Sequence, residues 1–216
     1  MTTVRRSPFY GLCLLIGALL FGGAGLLHPV LRGDGATQLA VIAAMSTWRA
    51  IHWSLLFAIP LMLAGLAGFS LRHQETPGAG PARAGVIVAA LGFAALMVNI
   101  LFMVAAGWQL ARTYASAEPG IAATHAVFVY DMIHPMGLAA ERLATFTLGL
   151  ALYLLAWATW NGRLLPRLLA WWAFVSGAVC LVIPLVVLET SVWLFYAQAT
   201  VIVWMAAAGA MMLVRR

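Results

Sequence analysis

Six long apolar runs divide the chain: about Phe9 to Leu27, Ala50 to Leu71, Gly85 to Trp108, His134 to Trp160, Leu168 to Leu188 and Ser191 to Val214. At 1.5 Å per residue, a helix needs about 20 apolar residues to cross the hydrocarbon of a bilayer, and the runs meet that length. The breaks between them hold helix-ending residues: Pro29 with Gly33 and Gly35, the stretch Pro77 to Pro81, Pro119-Gly120 and Asn161-Gly162. Glu189-Thr190-Ser191 is so short a break that the last two helices are expected as an antiparallel hairpin. Between the first two runs, Leu39, Ile42, Ala43 and Ser46 recur at helical spacing ahead of Trp48. That is the pattern of a short helix lying in the interface, with Trp as its headgroup anchor. The longest break, Arg112 to Ile133, mixes Ala, Thr, His and Tyr and is expected as a loop folded over the bundle. The fold class is therefore all-α, a polytopic membrane protein with six transmembrane helices in one bundle and a single domain over residues 1–216.

Composition excludes the soluble alternative. The chain is 64% apolar and 8% charged, whereas soluble domains carry roughly a quarter charged residues. The formal charge of +6 comes from twelve arginines, with no lysine, set singly or in pairs beside the apolar runs. A nucleic-acid binder gathers such residues on one polar face, so the expected partner is the lipid bilayer and not nucleic acid. With the N-terminus inside, the inner side collects Arg5, Arg6, Arg72, Arg83, Arg163, Arg167, Arg215 and Arg216, and the outer side Arg32, Arg49, Arg112 and Arg142. The positive-inside bias then places both termini in the cytoplasm of a bacterial inner membrane. The first run is longer than the 7–15 apolar residues of a signal-peptide core and is expected as a retained span.

Cys13 and Cys180 fall at depths differing by roughly 12 Å, too far apart for a disulfide, and read as small apolar fillers. Gly17, Ala18, Gly22, Gly23 and Gly25, and again Ala64, Gly65 and Gly68, allow close helix contact in lipid, within the bundle or across a homodimer. Pro60 and Pro184 are expected to kink their helices.

On this topology His28, His52, His125 and His134 lie on the outer side, with Asp34, Glu118, Asp131 and Glu189; His73 and Glu75 are inner. Asp131, His134, Leu138, Glu141 and Thr145 form one stripe at spacings of three and four, which share a helix face. Glu141 sits about 10 Å below His134, and Arg142 lies about 100° around from it. Ionisable groups at such depth normally face the bundle interior and need partners; Glu189 is the partner expected for Arg142. Arg49 and His52 form a second, shorter stripe, and Asn99 lies near mid-membrane.

Several readings fit these residues. In the first, haem b lies between the second and fourth spans, with His52 and His134 as axial ligands. Arg49 then meets the propionates, Asp131 orients His134, and Glu141 handles protons. In the second, zinc or copper is held by His28, His52, His134 and Asp131, with Glu141 as general base or as an orienter of a ligand, and a hydrolase acting near the outer leaflet is its enzymatic version. A third reading is transport or quinone contact without a bound metal, with Glu141, Arg142, Asn99 and the kinked helices lining a path for a proton or small solute, although no inverted repeat is evident. In the fourth the chain is a non-catalytic accessory or scaffold subunit, a homodimer or part of a membrane complex, and His and Trp at helix ends are ordinary interface residues. No HExxH or paired-cysteine motif is present.

The segment Trp157 to Gly177 ends one apolar helix in a short basic turn and starts another at once, through Gly162, Pro166 and Arg167. Together with the amphipathic segment after the first span, it resembles uncharacterised six-span bacterial membrane protein families of unknown function. The resemblance implies the six-helix architecture and no activity or site residues.

Overall fold

The computed structural model describes residues 8–116, 120–187 and 192–214. Among them are seven helices: α1 (Pro8–Leu27), α2 (Gly35–Ala44), α3 (Trp48–Arg72), α4 (Ala79–Ser116), α5 (Ile121–Gly162), α6 (Arg167–Val186) and α7 (Val192–Val214). Six of them are long and apolar enough to cross a membrane, and α2 is the short helix between the first two spans. Each span packs on the next, and α7 returns to α1, so the order around the bundle is α1, α3, α4, α5, α6, α7.

The expected boundaries hold for α1, α3, α6 and α7 to within a few residues, but two helices are much longer than their apolar runs. α4 has 38 residues and α5 has 42, about 57 and 63 Å long, against a hydrocarbon thickness of about 30 Å. The stretch expected as a long loop from Arg112 to Ile133 is therefore mostly helical. α4 continues to Ser116, and α5 begins at Ile121. His134 does not open its helix but lies more than three turns inside α5. The extensions pair with each other and with α2 as a cap on one end of the bundle. Leu39, Ile42, Trp48, Met103, Ala111, Ala126 and Tyr130 bury its small core.

Local chemistry sets these elements. Asp34 caps α2, its carboxylate accepting the Thr37 N–H at 2.9 Å, one of the orphan donors of a helix start. Within α4 a π-turn spans Met103–Gly107. The Met103 carbonyl accepts the Trp108 N–H five residues on and also the Trp48 indole N–H at 3.0 Å, joining α3 to α4 beneath the cap. Tyr130 donates to Gln38 Oε1 at 2.8 Å and so pins α2 to α5.

Within the spans, where lipid offers no hydrophobic drive for association, contact depends on close packing. A Cβ on Gly17 would stand 2.9 Å from the Met62 nitrogen, one on Gly65 2.6 Å from the Leu14 nitrogen, and one on Gly209 2.7 Å from the Leu15 nitrogen. These glycines thus fix α3 and α7 against α1, and the small residues serve the bundle interior. Gly23 has open space around it. Cys13 and Cys180 are buried and free, and the Cys180 thiol donates to the Ala197 carbonyl.

At the end opposite the cap lie Arg72, Arg83, Arg163 and Arg167, in or beside the two short turns that join α3 to α4 and α5 to α6. This arginine end also holds His73, whose Nδ1–H donates to the Phe69 carbonyl at 2.9 Å.

Candidate functional site

Under the cap the bundle holds a partly open cavity of about 490 Å³. α1 contributes Phe21 and Gly25, the segment after it His28 to Leu31, α3 His52 and Leu55, and α4 Leu96, Asn99, Ile100 and Met103. α5 adds His134, Leu138 and Glu141, and α7 adds Phe195, Gln198 and Ile202. The wall is mostly apolar, with polar groups at two levels.

The upper level carries three histidines. His28 and His52 meet with ring centroids 5.0 Å apart, and Trp48 lies 5.1 Å from the first and 4.3 Å from the second. His52 Nδ1 is 2.8 Å from the Trp48 carbonyl. A carbonyl only accepts, so Nδ1 carries the proton and Nε2 keeps its lone pair, the tautomer of a metal-ligating imidazole. The spacing of Trp48 and His52, one helical turn apart, creates this bond. His134 stacks on Tyr130 at 4.6 Å and on Phe102 at 6.1 Å. Burial of His28, just past the end of α1, outweighs its backbone hydrogen bond and pushes its pKa below the ordinary 6.5.

The lower level lies two turns deeper, about 10 Å along α5. Asn99 donates to one Glu141 oxygen at 3.0 Å, and Gln198 reaches the other at 3.4 Å and Thr145 Oγ1 at 2.8 Å. Thr145 in turn donates to the Glu141 carbonyl at 2.9 Å. Three helices thus converge on one buried carboxyl. Asn99 Oδ1 is buried without a hydrogen-bond partner among the described residues, and it fits against α5 because position 137 is glycine.

Of the residues singled out from the sequence, His28, His52, His134 and Glu141 line this cavity together. Asp131 does not. It is exposed, and its carboxylate sits against Gly35 at the start of α2, where a helix N-terminus favours an anion. No hydrogen bond joins it to His134, three residues on, although its charge still acts on that ring. Arg49 is exposed and outside the cavity lining, because it lies about 100° around α3 from Trp48. Arg142 extends away from the cavity to the end of α6; the Glu189 expected as its partner lies outside the described residues. Glu118 also lies outside them. Gln198 was not anticipated; its one signal is an amide inside the otherwise apolar last run.

His28 and His52 meet, His134 stacks on Tyr130 and Phe102, Asp131 sits against α2, and no three His, Cys, Asp or Glu among the described residues are grouped to hold an ion. Zinc needs three or four protein ligands near 2 Å.

The chain matches no family model, no curated protein and no solved structure.

Proposed function

We propose that this chain is a multi-pass protein of a bacterial inner membrane, both termini cytoplasmic, and that His52 and His134 would hold b-type haem in its capped cavity. The observation that carries this reading is that both imidazoles, from α3 and α5, line one mostly apolar cavity, with His52 already held in the ligating tautomer. Haem asks for imidazole nitrogens facing one apolar slot, and His52 and His134 both line this one, which supports the reading. Bound haem would supply one-electron transfer, and its surroundings would tune it.

The chain's own part is positioning. The Trp48 carbonyl orients His52, and the Trp48 indole bond to Met103 fixes that carbonyl's helix against α4. Tyr130 and Phe102 hold the His134 ring from its sides. Leu55, Leu96, Ile100 and Leu138 make the wall apolar, and Glu141, held by Asn99 and Gln198, places one protonatable oxygen pair at the floor.

The test is an absorption spectrum of detergent-purified protein expressed with added haem, oxidised and then dithionite-reduced. A Soret band with split reduced α and β peaks, lost in His52→Ala and His134→Ala, is the expected result. A colourless, monodisperse preparation from haem-supplied cells overturns the reading and leaves transport or a scaffold role.

A further inference from the structure

A second recess lies far from the capped cavity, on the outer side of the α5–α6 hairpin at the arginine end. It is a shallow, open recess of about 370 Å³ lined by Tyr153, Trp157, Trp160, Asn161, Trp171 and Phe174. The rings interlock edge to face: Tyr153 on Phe174 at 4.9 Å and Trp160 on Trp171 at 5.7 Å. Tyr153, Trp157 and Trp171 are 40%, 52% and 57% exposed, so the slot opens on the flank of the bundle. In a spanning helix pair that flank faces acyl chains.

The slot is charged at one end only. It runs from Tyr153 and Phe174, deep in the spans, to Trp160 and Asn161 beside the turn. There the Arg167 guanidinium lies over the Trp160 ring at 5.2 Å, an arrangement that cation–π attraction favours. Arg163, in the same turn, is exposed and takes the left-handed conformation with φ 54°. α6 begins after Pro166 with no side chain capping its first N–H groups, so its positive end adds to the two guanidiniums. An aromatic slot whose turn end carries an amide, Arg167 over Trp160, Arg163 in the same turn and a helix N-terminus matches a molecule with one long apolar tail and an anionic head.

We propose that the α5–α6 hairpin binds an anionic phospholipid, its phosphate at Arg163, Arg167 and Asn161 and one acyl chain in the slot below Trp160. Guanidinium recognises phosphate by paired donors, which separates an anionic lipid from a zwitterionic one whose phosphate is neutralised by its own ammonium.

Native mass spectrometry of the purified full chain, titrated with phosphatidylglycerol or phosphatidylcholine of the same acyl chains, tests this. Expected is one phosphatidylglycerol retained at least tenfold more tightly than phosphatidylcholine. That preference should fall about tenfold in the pair Arg163→Gln, Arg167→Gln, and stay unchanged in Arg83→Gln, an arginine of the same end outside the slot. Trp171→Ala should weaken both lipids, and inorganic phosphate at millimolar concentration should not displace the lipid. Equal retention of the two lipids, an unchanged preference in the double variant, or displacement by phosphate alone overturns the proposal. Because Arg163 and Arg167 are exposed, the double variant is expected to fold, and an unchanged melting temperature checks that.

Discussion

Glu141 and Arg142 are neighbours in the chain and do not pair. Glu141 turns into the cavity and takes Asn99 and Gln198. Arg142 turns to the end of α6 and donates to the carbonyls of Pro184, at 2.6 Å, and Val187. The last carbonyls of a helix have no partner within it, and a cation is favoured there, so one guanidinium satisfies the α6 end while the adjacent carboxyl stays available to the site.

Arg142→Gln should therefore destabilise the fold without altering the site. Leaving a buried carbonyl unpaired costs about 1–3 kcal/mol, and the variant's thermal unfolding in detergent should move down accordingly. Arg142→Lys should recover only part, because an ammonium lacks the planar fork that spans both carbonyls. A melting temperature equal to the parent's would remove Arg142 from this role.

The glycines divide in a testable way. Gly65→Ala drives a methyl into the backbone of α1 at Leu14, where overpacking costs about 1–3 kcal/mol. Gly23→Ala meets open space and gains from the better helix propensity of Ala, by up to about 1 kcal/mol. Fluorescence-detected size exclusion after a heat step should show loss for the first variant and parity or gain for the second.

The spans were legible because a bilayer imposes a length and an apolar composition that few other constraints mimic. Their ends were not. A helix leaving the membrane loses hydropathy at once but keeps its helical backbone, so Arg112 to Ile133 read as loop while Ala111, Ala126 and Tyr130 were packing a helical cap. Of the stripe on α5, His134 and Glu141 share a cavity, while Asp131 sits against the start of α2, outside it. Gln198 and the inward turn of Trp48 depend on which faces the ring of helices brings together, and periodicity within one helix cannot give that.

Acid should weaken the fold before the carboxylates titrate. His28 and His73, each just beyond the end of a span, are held below the ordinary 6.5, chiefly by burial. The unfolded chain then binds protons near pH 6.5 that the native chain refuses, so stability is full above that pH and falls as pH drops below it. His73 Nε2 is buried without a hydrogen-bond partner among the described residues, so a proton there would have no acceptor. Melting temperatures from pH 8 to pH 5 should decline below about 6.5, and His73→Asn should flatten the decline. A flat profile in the parent contradicts the assignment.

The cap should loosen independently of the bundle. Tyr130→Phe leaves Gln38 Oε1 without its donor, a loss of about 1 kcal/mol confined to the contact of α2 with α5. Hydrogen exchange should speed up across Gly35–Ala44 and the first turns of α5 while α3 and α7 stay protected. Uniform acceleration through the spans would show that cap and bundle unfold as one unit.

The cavity geometry and the simple histidine-and-arginine stripe of the sequence make different predictions for ligand loss. If the cavity positions the cofactor, Arg49→Ala and Asp131→Asn should keep the Soret band at parental intensity, because neither side chain lines the wall. His52→Ala and His134→Ala should each abolish the split reduced peaks. His28→Ala should keep them with a shifted band, since His28 only flanks the His52 ring, at 5.0 Å. Should His28→Ala remove the peaks while His52→Ala preserves them, the axial ligand would be His28, and the carbonyl bond that fixes the His52 tautomer would be structural. Loss of colour in Arg49→Ala alone would instead return the site to the exposed face of α3, where the cavity has no part in it.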